Sequence, residues 1–572
     1  MSTKRIMPLL CLSFLSIFYS GCSNDDGFVS DTTESSDNGD TTTDDSDEPV
    51  ETGEDHDEAS DYEWDSATVV GIILNTTSIT VNGEGATADG SVVTIENAGN
   101  YEITGDLTNG QIIVDTEDEG VVRLLLNGID VTSKSSSPLY IANASKTVIY
   151  LEENTTNYLS DSDSYVYEGD EDEPDAALFS DDDLTIFGEG TLSVTGNYNE
   201  AIKSKDGLII TSGTLVVTSV DDGIQGKDYL IIKEGDITVV ADGDGLKSNN
   251  DEDSTLGYLI IETGTITITS GADAIQAESS LNITDGDFNL ISGGGHTAVL
   301  AEDDSAKALK AGLAIYIEKG TFSIDAADDG LHSNDAIIIN DGTFSIATGD
   351  DGIHAEYDLA INGGYIDITT SYEGVESQEL HITGGDVYIT SSDDGLNAAG
   401  GNNNYLYIDG GTIIINAQGD GIDANGSIEM TGGTVVVNGP TGNNNGALDY
   451  DNTFKITGGI LVASGSSGMA QAPSSSSTQS SVLFKFSSTM QAGTLLHIQD
   501  SSGNDIITYA PLKNYQSLVV STPDFVDGSS YELFSGGSST GSSLGGFYED
   551  GTYSPGTSLN VFTVAGIITN IN

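Results

Sequence analysis

Cysteine is nearly absent from this chain of 572 residues, and positive charge is scarce. The two cysteines, Cys11 and Cys22, both lie near the N-terminus, so the rest of the chain can form neither a disulfide nor a thiolate metal site. Lys and Arg total 16 against 92 Asp and Glu, which gives a formal net charge of −76. Such a field repels nucleic acid and attracts divalent cations, so we expect no nucleic-acid partner.

Proline is also rare, at 9 residues, whereas glycine reaches 70. No segment beyond the first 22 residues shows the apolar period of an amphipathic helix. Short runs instead alternate apolar and polar residues, as at Leu230, Ile232, Ile237 and Val239. A period of two is typical of strands, so the sequence predicts an all-β fold with many turns.

Residues 1–21 have the features of a lipoprotein signal peptide. Lys4 and Arg5 precede a short apolar stretch, and small residues then precede Cys22. We expect a lipid anchor on Cys22 and an exported, surface-exposed protein of the outer membrane; a simple secretory signal with a chance cysteine is the alternative. Residues 22–65 are acidic and almost free of apolar residues, which predicts a disordered tether.

A repeat of about 22 residues runs through the middle of the chain. Asp329-Gly330 and Asp351-Gly352 begin two successive copies. We call the equivalent positions the corner row: Glu200, Asp222, Asp244, Asp273, Lys307, Asp329, Asp351, Glu373, Asp394, Asp420 and Gly446. Glycine after the acid suggests a positive φ, and the acid itself suggests a hydrogen bond to the backbone of its own turn.

Stacked copies of such a repeat predict a right-handed parallel β-helix with about 22 residues per coil. A β-propeller fits less well, because its blades need about 40 residues and antiparallel strands. We predict irregular N-terminal coils at 66–165, regular coils at 166–473, a Ser-rich linker at 474–481 and a small C-terminal β domain or cap at 482–572.

Stacking places the corner acids in one column, where neighbours about 4.8 Å apart repel each other. Calcium would relieve this repulsion, since it takes six to eight oxygen ligands. The alternative is a solvated row of turns with diffuse counter-ions. The predicted calcium ligands are Asp221, Asp222, Asp244, Asp273, Asp328, Asp329, Asp350, Asp351, Asp393, Asp394 and Asp420.

Three residues after each corner lies a second set of polar residues, which we call the polar row. Its members are Lys203, Gln225, Lys247, Gln276, Lys310, His332, His354, Glu376, Asn397, Asp423 and Asp449. This row is either an ordinary polar exterior or the floor of a groove that binds a glycan through Lys203 and Lys247. His332 and His354 stack in it and could bind a transition metal, although a polar row explains them without one.

Outward tyrosines add a second possible glycan contact. Tyr229 and Tyr258 fall on adjacent coils, so their rings could form a platform for sugar faces. The alternative is that tyrosine is simply a favoured residue on an exposed strand.

The stretches DGIQGKDYL from Asp222 to Leu230 and DGLKSNNDE from Asp244 to Glu252 resemble the carbohydrate-binding-domain β-helix family. Leu125 to Gly128 and Ser480 to Phe484 resemble it as well. The resemblance implies a pectate-lyase-like fold, bound calcium, and binding of cellulose and acidic sugars without established catalysis. It carries over Asp222, Asp244 and Asp273 as calcium ligands.

Three functions are compatible with these patterns. The favoured one is a surface-anchored, monomeric protein that binds cellulose or an acidic polysaccharide with calcium. A calcium-dependent polysaccharide lyase would use Lys247 as its base, although surrounding acids raise a lysine pKa, which is the wrong direction. A structural or adhesin-like surface protein is the third possibility.

Overall fold

The computed structural model describes residues 55–167, 173–301 and 304–572. The predicted signal peptide, Cys22 and the tether up to residue 54 lie outside the described residues. Among the described residues, no helix is long and apolar enough to cross a membrane. The helical content there is confined to two short 3₁₀ helices, Ala59–Tyr62 and Ser66–Thr68.

The regular part of the chain is a parallel β-helix of about 15 turns, as predicted. Each coil contributes to three sheets. The first, which we call the ladder sheet, carries the polar row. Its strands are Val92–Ile95, Gln111–Asp115, Leu139–Asn143, Ala176–Ser180, Glu200–Ser204, Ile224–Gly226, Leu246–Ser248, Ile275–Ala277, Leu309–Ala311, Leu331–Ser333, the first parts of Ile353–Ile361 and Val375–Ile382, Leu396–Ala398, Ile422–Ala424 and Leu448–Tyr450.

The second sheet follows the ladder sheet in each coil and stacks in parallel in the same way. Its strands are Val69–Thr76, Gly99–Leu107, Val122–Thr132, Thr147–Leu151, Leu184–Gly188, Gly207–Ile210, Tyr229–Ile232, Tyr258–Ile261, Ser280–Ile283, Ala314–Ile317, Ala336–Ile339, the second parts of Ile353–Ile361 and Val375–Ile382, Asn404–Ile408, Gly426–Met430 and Thr453–Ile456.

The third sheet closes each coil. Its strands are Thr156–Ser160, Thr191–Gly196, Thr214–Ser219, Asp236–Ala241, Thr265–Ser270, Asp287–Ser292, Thr321–Ala326, Thr343–Thr348, Tyr365–Ser371, Asp386–Ser391, Thr412–Ala417, Thr434–Asn438 and Ile460–Gly465. The first coils are irregular because Ile79–Asn82 and Ala86–Asp89 form antiparallel hairpins with their neighbours.

The inward residues of all three sheets form one continuous apolar core. Aliphatic side chains dominate it, and the rings of Phe288, Phe322 and Phe344 stack through it with centroids 4.5 Å apart. Because each strand pairs with its equivalent in the next coil, like residues lie above like residues along the whole length.

The C-terminal region caps this helix rather than following a linker. Ser477 and Ser481 are buried, and Ser477 hydrogen-bonds the preceding coil at Phe454 and Ile456, so the prediction of a linker at 474–481 is wrong. Two sheets complete the cap. The strands Ser481–Met490, Tyr515–Ser521 and Ile568–Ile571 extend the third sheet, and a separate sheet contains Leu496–Asp500, Asp505–Tyr509, Ser530–Ser539, Ser543–Leu544, Phe547–Tyr548 and Tyr553–Thr563.

The glycine that follows seven of the nine corner acids has a different cause from the predicted one. Gly352 does not have a positive φ. A Cβ at Gly352 would instead lie 2.5 Å from the carbonyl oxygen of Gly374 in the next coil and 2.8 Å from Ile368. Close approach between coils, not turn strain, therefore favours glycine there.

Residues 55–65, predicted to be disordered tether, are docked on the second sheet. Asp61 is fully buried and its Oδ2 lies 2.8 Å from Lys146 Nζ. Arg123 donates to the backbone carbonyls of Asp61 and Ser60, and Trp64 packs on Tyr150 with ring centroids 5.1 Å apart. The tether prediction is wrong at this end because these contacts supply a buried ion pair and aromatic packing that composition does not reveal.

Asp61→Asn should loosen this docked segment. Removing one partner of a buried ion pair leaves Lys146 uncompensated, which costs about 3 kcal/mol. Hydrogen exchange of residues 55–68 is expected to speed up accordingly, whereas the exposed Glu63→Gln control should leave it unchanged. Equal exchange in both variants would show that the Asp61–Lys146 pair does not hold the segment.

Candidate functional site

The polar row is aligned in the structure as the repeat predicts. Its eleven members pair in consecutive register along the ladder sheet, from Lys203 opposite Gln225 to Asp423 opposite Asp449. Each member follows a buried apolar residue of a short strand, and in most coils a buried Ser, Gly or Ala comes next, so the side chains line one outer face. Gln225, Gln276 and Asn397 are nevertheless buried between their neighbours.

The corner acids hydrogen-bond from coil to coil. Asp222 Oδ1 accepts the backbone N–H of Asp244 at 2.8 Å, and Asp244 Oδ1 accepts that of Asp273 at 2.9 Å. The same bond joins Asp273 to Lys307 and Asp329 to Asp351. Asp351, Asp394 and Asp420 repeat it toward Glu373, Asp420 and Gly446. In these coils the predicted bond within one turn is therefore replaced by a bond between turns, which occupies one carboxylate oxygen of each aspartate.

Lysines neutralise the second oxygen in the N-terminal half of the corner row. Lys247 Nζ lies 2.8 Å from Asp222 Oδ2 and 2.7 Å from Asp244 Oδ2. Lys310 Nζ lies 2.8 Å from Asp273 Oδ2. The calcium ligands carried over from the family, Asp222, Asp244 and Asp273, thus have ammonium groups at the position where an ion would bind. At the first corner, Lys203 contacts Glu200 and Asp175 in the same way.

An open pocket of about 510 Å³ lies over these lysines. Lys227, Lys247 and Lys310 line it, with Asp251 and Glu278 also in its wall. Burial lowers and the carboxylates of Asp244 and Asp222 raise the pKa of Lys247, and the carboxylates prevail, so its pKa lies above the ordinary value. Lys247 therefore stays protonated, and it can act as a hydrogen-bond donor but not as a base.

Lys307 marks the point where the charge pattern changes. Its Nζ contacts Asp328 Oδ2 at 2.7 Å and Asp329 Oδ2 at 3.0 Å. His332 Nδ1 also lies 2.8 Å from Asp329 Oδ2. These partners overcome the burial of Asp329 and lower its pKa to about 2.

Beyond Asp329 neither row contains a lysine, and the carboxylates of neighbouring coils lie close to one another. Burial, with the charges of Asp329 and Asp350, raises the pKa of Asp351 to about 8. Burial, and hydrogen bonding to Glu373, raise the pKa of Glu376. Asp394 and Asp423 reach pKa values of about 7, through burial and through their neighbouring carboxylates. Among the described residues, the C-terminal half of the two rows is therefore the part whose negative charge no lysine balances.

Carboxylate oxygens of Asp394, Asp420 and Asp423 all lie within 4.8 Å of one another. Asn397, beside Asp423 in register, has a buried Oδ1 without a hydrogen-bond partner among the described residues. Oxygen donors of this kind suit calcium. Four of the predicted calcium ligands directly precede a corner acid, and two of these, Asp328 and Asp350, form a similar group with Asp329. Asp221 and Asp393 lie half-buried beside Gly243 and Gly419.

Tyr229 and Tyr258 do not form an exposed platform. Their rings do stack, with centroids 5.3 Å apart, but they are only 6% and 1% exposed. His56 from the docked N-terminal segment hydrogen-bonds the Tyr229 hydroxyl at 2.7 Å. The prediction is wrong because this segment and Leu256 cover the outer face of the second sheet at these coils.

The structure also groups aromatic residues that sequence reasoning did not combine. His381, Tyr407 and Tyr405 stack on the outer face of the second sheet, with successive centroids 4.4 and 4.3 Å apart. The repeat register could have placed His381 opposite Tyr407, since these residues pair directly. The pocket lined by Lys227, Lys247 and Lys310, which we call the lysine pocket, was missed for a different reason. Lys227 lies in the turn after the ladder sheet and does not belong to the polar row, so the repeat does not point to it.

The fold and the two rows define a β-helical protein with a continuous charged face. The chain belongs to the family of carbohydrate-binding domain-containing proteins, whose model matches residues 89–352 and 350–506, more than half of the chain. This confirms the family predicted from the sequence. A relative described in the same words, from Acetivibrio thermocellus, is 36% identical over 137 residues, which are 24% of this chain and 48% of the relative.

The chain thus spans about half the length of the curated relative that it matches. Among solved structures, a gadolinium derivative of a polysaccharide lyase-like protein from C. thermocellum is 33% identical. That match covers 41% of this chain and 97% of the other, with a TM-score of 0.38.

Lys247→Gln should destabilise the N-terminal half of the ladder. The substitution leaves Asp222 and Asp244 without their shared cation, and we expect a loss of about 2 kcal/mol after allowing for partial solvent exposure. Urea unfolding measures this loss. Lys319→Gln, which removes an exposed pair with Asp285, is the matched control and should change little. If Lys247→Gln does not change the free energy of unfolding, solvent and its ions already screen the charges of these corner acids without Lys247.

The chelator-treated protein should become less stable as the pH rises from about 4.5 to 8. The folded-state pKa values of Asp351, Asp394 and Asp423 lie well above the unfolded value of about 4, so folding favours their protonated forms. Their contribution to the free energy of unfolding is fully present at low pH and is lost as the pH rises through the folded-state pKa values. Asp329 acts in the opposite sense, but only below about pH 4. Urea midpoints that stay constant or rise between these pH values would contradict the inference that burial and mutual repulsion raise the pKa values of these carboxyl groups.

Proposed function

We propose that this protein binds cellulose or an acidic polysaccharide along the ladder face, with calcium bound at the C-terminal half of that face. Membership of a carbohydrate-binding family supports a glycan ligand. The observation that carries the proposal is the division of the ladder into a lysine pocket and an uncompensated acidic stretch.

The lysine pocket suits a glycan that carries both hydroxyl and carboxylate groups. Lys247 uses two of its three N–H donors on corner acids, which fix its ammonium in place. Its third donor and those of Lys227 can bind hydroxyl or carboxylate oxygens, while Asp251 and Glu278 can accept from sugar hydroxyls. In a chain of charge −76, a uronate carboxylate would find few other cationic positions.

Calcium fits the acidic stretch around Asp394, Asp420 and Asp423. One oxygen of Asp394 and one of Asp420 hold backbone N–H groups, which leaves their second oxygens free for an ion. One oxygen of Asp423 lies in the same group, and Asn397, beside Asp423 in register, has a buried Oδ1 without a hydrogen-bond partner among the described residues. Since calcium takes six to eight ligands, water and glycan carboxylates would complete the shell.

The other two functions receive less support. A lyase would need Lys247 as a neutral base, and the raised pKa of Lys247 opposes that role. An adhesin would bind cells or protein rather than show cation-dependent retention on a glycan, so the retention assay separates it from the proposed function. A lipid anchor on Cys22 would hold the glycan-binding face at the surface of the outer membrane, with monomers sufficient for binding.

A glycan-retention assay with and without chelator tests the proposal. The protein should be retained on polygalacturonate or cellulose, and chelator should weaken the retention on the acidic glycan. Asp423→Asn should lower calcium affinity by at least about tenfold, because it removes an anionic ligand without touching a backbone hydrogen bond. Asp386→Asn, at an exposed acid on the third sheet two coils earlier, is the control. Retention on neither glycan would overturn the proposal. Retention that chelator does not weaken would show that calcium takes no part in glycan binding.

A further inference from the structure

His354 differs from its neighbour His332 in what its ring nitrogens contact. His332 is fully engaged, with Nδ1 2.8 Å from Asp329 Oδ2 and Nε2 3.2 Å from Asn334 Oδ1. His354 Nδ1 makes a long contact to Asp351 Oδ2 at 3.5 Å, and its ring packs edge-on against His332 with centroids 5.0 Å apart. Among the described residues, no hydrogen bond satisfies either ring nitrogen of His354.

Within the part of the chain that the structure describes, no lysine or arginine contacts the carboxylates of Asp351 and Glu376 around His354. Asp351 Oδ1 accepts the Glu373 backbone N–H at 3.1 Å, which leaves Oδ2 toward the histidine. Glu376 follows His354 in the polar row of the next coil. Lys307, the one lysine of the corner row, already contacts Asp328 and Asp329.

The three side chains converge on one point. One ligand atom each from Asp351, His354 and Glu376 lies within 4.8 Å of the other two, and Asp351 is buried. Glu373 lies alongside, held by the amide of Asn397 at 2.7 Å. An ion bound there would join two coils, at the coil where lysines cease to do so.

We propose that Asp351, His354 and Glu376 bind a divalent transition-metal ion of the zinc class. One imidazole and two carboxylates match the nitrogen and oxygen donors that zinc accepts, and three protein ligands leave a position open for water or a glycan oxygen. The imidazole selects against calcium, which prefers oxygen ligands alone. This site goes beyond the proposed function, because it would bind zinc even in a protein that bound no glycan.

The test is a calorimetric titration of the metal-free folded protein with Zn²⁺, in which a competing chelator of known affinity allows a tight dissociation constant to be measured. We expect one tight site that calcium does not displace. His354→Gln should weaken it by at least about 100-fold, since even the loss of a partner outside the ligand shell costs 10–100-fold. Glu376→Gln, which keeps the shape of the side chain, should weaken it as well.

Two controls separate this site from chance histidine binding. His381→Gln, on the second sheet, should not change zinc affinity. His332→Gln should change it less than about threefold, because both of its ring nitrogens already have partners. Replacement of zinc by Co²⁺ should give visible absorption bands that His354→Gln abolishes. Equal affinity in the wild type and His354→Gln, or no stoichiometric zinc binding by the wild type, would overturn the proposal, whatever the glycan assay shows.

Discussion

Hydrogen bonding between successive coils in constant register is the interaction on which the rest of this structure depends. It places every residue directly above its equivalent about 22 positions earlier, so one choice of residue type is repeated as a column. For apolar residues this produces a continuous core. For the corner acids it produces a column of like charges, and Asp222 and Asp244 show that the same acids also reinforce the stacking through Oδ1.

The resulting repulsion is relieved in two different ways along one face. From Glu200 to Asp329, lysines of the corner and polar rows lie between the acids, so the protein supplies its own counter-charge. From Asp351 onward the two rows hold histidine, glutamate, asparagine and aspartate, apart from Gly446 at the end of the corner row. There the carboxylates keep raised pKa values, as burial and mutual repulsion require. A single column therefore contains a segment that needs no ion and a segment to which an ion would bind favourably.

Sequence reasoning predicted what the repeat determines and failed where distant segments meet. The register of both rows follows from counting residues, and the structure confirms it from Lys203 to Asp449. The burial of Tyr229 and Tyr258 could not be predicted in this way, because it depends on His56 and its neighbours packing from outside the repeat. The position of Lys247 among the corner acids does follow from the register. Its two contacts, 2.8 Å to Asp222 Oδ2 and 2.7 Å to Asp244 Oδ2, depend on side-chain directions from two coils and could not be counted from the sequence.

The uneven charge of the ladder bears on how a glycan would lie on it. An extended acidic chain that crossed the whole face would meet lysine donors near Lys247 and carboxylates near Asp423. Only the second region would repel it, and a bound divalent ion there would convert repulsion into a bridge between protein and glycan carboxylates. Cation binding would then act on one end of the binding face and leave the lysine end unchanged. Retention of an acidic glycan should therefore weaken without cations but persist in part, because the lysine pocket remains.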